Sequence, residues 1–189
     1  MKTNMTYDTD FGYWLRVAQH TDFRMEKFSR PKYVGAKKVP DTLNEITIGQ
    51  LIELGMIDGT LGSFARICEI VLQLTPEETY AARAVDVVRF CGWVTGEVER
   101  INKIFERQQS KPTQQEIQAG IKTLQFGLFG MLDWYAQRMG YQDQEQVKNV
   151  PWMRIYKCMD MDTKRVEFQK KYQEVLSDEY RRKMQRVGR

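Results

Sequence analysis

The residues able to do chemistry are few, and none of them is set beside a complementary partner. His20 is the single histidine and could act as a general base, but it lacks an orienting partner. Cys68, Cys91 and Cys158 are odd in number and far apart, whereas a zinc site draws about four ligands at tight spacing. They read as buried free thiols in a reducing compartment. Glu77 and Glu78 form an acid pair, but they follow Thr75 and Pro76 at a helix start, where carboxylates complement the positive end of the dipole. Asp160 and Asp162 are two apart, so a helix points them in different directions. The chain holds no GxSxG, GxxxxGK[ST], GxGxxG or HExxH, and Gly127 and Gly130 in FGLFGML fit tight helix packing. This pattern predicts a binding protein that is not an enzyme, with no metal and no cofactor.

Two groups of residues suit binding. Met131, Met139, Met153, Met159 and Met161 gather late in the chain, and flexible thioethers suit a groove that takes varied apolar partners. Trp134 and Trp152 flank them as interface anchors. The candidate partner-binding set is therefore Met131, Trp134, Met139, Trp152, Met153 and Met159, although the same residue types also fill cores. The second group is basic. Residues 24–38 carry six cations against Glu26 alone, and the last ten residues carry five cations and no acid. Arg24, Lys27, Arg30, Lys37, Lys38, Arg181, Arg182 and Lys183 are candidates for touching nucleic acid or an acidic subunit. Solvated basic ends that keep a protein soluble have the same composition.

These residues must be positioned by helices. Hydrophobic content of 42% over 189 residues suffices for one buried core. No apolar run approaches the ~20 residues of a membrane span. The opening MKTNMTYDTD lacks the apolar centre of a signal peptide, so a cytoplasmic protein is expected. Residues 1–42 mix aromatics, charge, proline and glycine and read as an irregular arm with a short helix over 13–18. The helical domain spans 43–180, and 181–189 form a basic tail. Thr47 with Gln50, and Thr113 with Glu116, are capping boxes, and Thr75-Pro76 marks a third helix start. Helices are predicted over 48–56, 61–74, 77–108 (one helix or a pair), 113–136 and 152–184, with a short one over 144–148. In 113–136, Ile117, Ile121, Leu124, Leu128, Met131 and Tyr135 form a clean stripe, which makes this the expected central rod. No β-hairpin signal is found. The fold class expected is an all-α multi-helix bundle with an irregular N-terminal arm.

Two stretches carry a family resemblance. ITIGQLIELGMIDG, with the following SFARICEIVLQLTPEETY, gives a T-x-G-Q helix start, a turn, an apolar helix and LT-x-EE opening the next helix. MGYQDQEQVKNVPWMRIYKCM gives a short helix and then a PW helix start. In this order they resemble the tail assembly chaperones of long-tailed bacteriophages and prophages, over residues 46–176. The resemblance implies a small helical protein of the host cytoplasm that coats the apolar tape-measure protein, helps recruit the tail-tube subunit and is left out of the virion. It carries no catalytic residues. Exposed apolar grooves also drive self-association, so a homo-oligomer is expected. The basic ends support a different reading, a virion structural or connector protein that touches DNA or other subunits.

Overall fold

One rod runs through the middle of the fold, and it is the helix after the proline start. In this computed structural model the described residues are 9–18, 29–58, 60, 62–108, 112–124 and 126–187. Helix α1 is Phe11–Ala18, α2 is Ile48–Gly55, α3 is Ser63–Leu72, α4 is Pro76–Ala81 and α5 is Ala84–Gln108. Then come α6 (Gln114–Gln118), α7 (Gly127–Met139) and α8 (Trp152–Val187), with 3-10 turns at Ile121–Leu124 and Gln144–Asn149. The fold is all-α; among the described residues the strands are β1 (Tyr33–Val34) and β2 (Lys37–Lys38), paired antiparallel.

α5 touches α1, β1, α2, α3 and α8. Its Ala84, Val87, Val88, Cys91, Val94 and Ile101 recur at three- and four-residue steps and are all buried. That is the spacing that turns one side of a helix inward. The central rod is thus α5, and the stripe in 113–136 does not have that role.

The predicted capping boxes form, because caps are local chemistry. Gln50 N donates to Thr47 Oγ1 at 3.1 Å while Thr47 N donates to Gln50 Oε1 at 2.9 Å. Thr113 with Glu116 makes the same reciprocal pair, and so does Thr75 with Glu78, where the sequence predicts a helix start but not the box. Helix 113–136 nevertheless breaks. Gly120 has φ +83° and Gly127 φ +55°, left-handed conformations that end a right-handed helix. The segment becomes α6, a 3-10 turn and α7, so its apolar stripe no longer lies on one face. Ile117, Leu124 and Leu128 are left 41%, 60% and 40% exposed. Gly127 opens α7 with nothing within 4 Å of a Cβ built there, so tight packing is not its use.

The segment read as an irregular arm is also different where it is described. Asp10 Oδ1 accepts from Tyr13 N at 2.7 Å and starts α1. Phe11 and Trp14 are buried, and Phe11 lies against Phe64 with ring centroids 5.7 Å apart. Phe11 N donates to Ala82 O at 2.8 Å, tying α1 to the α4–α5 link. Val34, Val39 and Leu43 are all buried, so packing continues across residue 43 without a break. The hairpin turns across residues 35–36, too short for an alternation signal. At the other end, 181–187 continue α8 rather than forming a separate tail.

Candidate functional site

Leu132, Tyr135 and Ala136 seat one side of α7 on the core. Polar contacts fix its other margins. Asp133 accepts from Gln144 Nε2 at 2.6 Å and from Gln137 Nε2 at 2.7 Å, and Arg138 pairs with Asp162 of α8. Arg138 also lies over the Trp134 ring, 5.6 Å from its centroid, covering part of the indole with a cation. The N-terminal half of α7 has no such cover, and Leu124, Phe126, Leu128 and Phe129 stand exposed there.

Two hollows flank that half. One, of about 410 Å³, is lined by Leu124, Phe126, Met131, Trp134 and Met159, with Asp162 and Thr163 as its polar edge. The other, of about 820 Å³, runs between α2, α5, α7 and α8 and is lined chiefly by Ile48, Leu51, Ile52, Met56, Phe105, Leu128, Met131 and Met159. Met131 and Met159 line both, so the two hollows adjoin at these thioethers as two parts of an apolar-lined cleft. Its floor carries Asn102 and Glu106 of α5 as polar groups. Such a cleft can receive an apolar helix face, with thioethers adapting to its side chains.

Of the six residues expected to bind a partner, the fold brings Met131, Trp134 and Met159 to the cleft. Trp152 is a correction. It is fully buried, its Nε1 donates to Leu43 O at 2.7 Å, and its ring packs on Phe105 at 5.8 Å. An indole with its one donor satisfied inside the core anchors the fold and is closed to partners. Met153 is half-buried against the core, and Met139 sits at the far end of α7 outside both hollows. Ile52, Met56, Phe126 and Leu128 belong to the cleft but were missed. Met56 is the C-cap of α2 and 74% exposed, a placement that its type does not announce.

The basic candidates do not act alike. Arg24 and Lys27 lie outside the described residues, as does His20. Arg30 is a structural tie: it donates to Val39 O at 2.9 Å and Pro40 O at 3.1 Å and pairs with Asp41 at 2.7 Å. Lys37 and Lys38 are exposed on β2, and Arg181, Arg182 and Lys183 are exposed on the last turns of α8.

The acid and thiol candidates have private partners. Glu78 caps α4, and both Glu77 and Glu78 face solvent. Asp160 accepts from Lys164 at 2.7 Å and from Gln108 at 3.1 Å, which hold its carboxyl below the ordinary value. Asp162 instead faces Arg138. Burial, with Cys68 beside it, pushes the Cys91 thiol well up, so it stays protonated. Among the described residues no three His, Cys, Asp or Glu side chains are grouped to hold a metal. No helix among them is long and apolar enough to cross a membrane. Compared with known protein families, curated proteins and solved structures, the chain finds no match.

Proposed function

We propose that this protein is a non-enzymatic assembly chaperone that holds an apolar helix of an extended client in the cleft between α2, α5, α7 and α8. The supporting observation is the largely apolar lining that two adjoining hollows share at Met131 and Met159, bordered by exposed Leu128, Phe126 and Met56. Exposed apolar side chains grouped around a hollow are the kind of surface that a partner's apolar face can cover. The resemblance of 46–176 to phage tail assembly chaperones supplies the client class, a tape-measure-like helical protein, with the tail-tube subunit as second partner in the host cytoplasm. A long helical open reading frame is expected directly downstream of the gene. Co-expression should raise the soluble yield of its product, and Met131→Asp should abolish that gain while the chain stays folded. An unchanged yield with the unaltered chain would count against the proposal.

The exposed Lys37, Lys38, Arg181, Arg182 and Lys183 support a second reading, a virion connector that touches DNA. Peptide mass spectrometry of purified virions separates the two, since a chaperone is absent and a connector present. DNA binding that weakens steeply with salt would favour the connector.

A further inference from the structure

α8 outruns the body it belongs to. From Lys164 onward every described side chain of this helix is exposed. Successive residues turn by about 100° on a helix, which fixes which side chains share a face. Trp152 in the core and Met159 and Thr163 on the cleft occupy the body-facing side, with Lys170 in line and paired to Glu116 of α6 at 3.1 Å. Phe168, Tyr172, Val175 and Leu176 occupy the opposite side and are 68%, 52%, 55% and 40% exposed. Phe168 and Tyr172 already stack on each other, with centroids 6.1 Å apart. The apolar stripe therefore points away from the body formed by the described residues.

The charges that bound the stripe identify its occupant. Arg165 lies seven residues before Tyr172 and Glu179 seven residues after it, both on the stripe side. Among the described residues Arg165 pairs with Asp162 at 3.8 Å and Glu179 has no ion pair. We propose that the distal half of α8 pairs antiparallel with the same segment of a second copy, centred on Tyr172. Turned end for end about that residue, the sequence complements itself: Arg165 meets Glu179 of the partner at both ends, Phe168 meets Leu176, and Tyr172 meets its own copy. This is the self-complementary contact of a two-fold dimer. A parallel pair in register would instead set Arg165 against Arg165 and Glu179 against Glu179, which repel. The overlap runs over roughly 20 residues, or about 30 Å of helix, and the bodies stay clear because they sit on the far sides. The pairing does not depend on what occupies the cleft.

Sedimentation velocity on the full chain should show a dimer at micromolar concentration. Phe168→Glu should give a monomer with unchanged far-ultraviolet circular dichroism, because that side chain is 68% exposed and outside the core. Arg165→Glu and Glu179→Arg should each raise the dimer dissociation constant by about tenfold, and the two together should restore it. In a Cys158→Ser background, Tyr172→Cys should oxidise to a covalent dimer and Arg165→Cys should not; a parallel pair would give both. A chain that is monomeric at every concentration, as a different helical partner for the stripe would leave it, overturns the proposal. So does a dimer untouched by Phe168→Glu, or a double charge reversal that fails to restore pairing.

Discussion

α5 and the stretch from α6 into α7 begin from the same kind of sequence, apolar residues at helical spacing, and end in opposite states. Along α5 the stripe stays straight for 25 residues and every turn finds a neighbour, so Val87, Cys91, Val94 and Ile101 are buried. Along 113–131 two glycines in left-handed conformation turn the chain twice, and Ile117, Leu124 and Leu128 stay in water. Periodicity reports that residues share a side only while the helix is unbroken. The second stretch is not a failed core element. It is a bent flap, held to α8 by Arg138 with Asp162 and Lys170 with Glu116, which keeps an apolar cleft open beside the finished core.

The contrast can be broken first at the core. Trp152→Ala should lower unfolding free energy by about 3–5 kcal/mol, read by denaturant titration, since it removes a buried indole and leaves Leu43 O without its donor. A cost below about 1 kcal/mol would move Trp152 back to the partner-binding set. Gly120→Ala should cost about 1 kcal/mol, because φ +83° is strained for any side chain. Its effect should show as faster proteolysis near residue 120 more than as a lower melting temperature.

Acid should act on the core side. Arg100 at 2.8 Å, and then the Leu43 N–H, hold the Glu97 carboxyl below its ordinary value. A group whose folded pKa is depressed adds stability above its unfolded pKa and loses it as pH falls through the folded value. Stability should therefore drop by up to about 1 kcal/mol below roughly pH 4.3, and Glu97→Gln should remove that part of the slope. Smallest of all, Phe129→Ala should change stability by no more than about 0.5 kcal/mol, because the ring is 65% exposed.

Much of this fold was legible in the sequence where the controlling interactions are short-range. The boxes at Thr47, Thr75 and Thr113 each need only a residue three positions on, and all three helix starts are where the sequence puts them. What was not legible depends on distant neighbours. Phe11 and Trp14 look like arm aromatics until Phe64 and Ala82 arrive from elsewhere in the chain. Trp152 has the composition of an interface anchor, and distant Leu43 and Phe105 make it a core residue. The cleft was half readable. Met131, Trp134 and Met159 belong to the late methionine and tryptophan group, whereas Ile52 and Met56 reach them only because α2 packs on α5 and on the turn Gln144–Asn149.

Hydrogen exchange across the chain, free and in complex with the co-expressed helical client, tests the open cleft most directly. Free protein should show slow exchange along α5 and exchange at least about tenfold faster over residues 114–131. Complex formation should slow exchange over 121–131 and α2 while leaving α5 before Asn102, which does not line the cleft, unchanged. Protection in the complex that falls elsewhere, with 121–131 still exchanging freely, would contradict the assignment of the cleft as the client's seat.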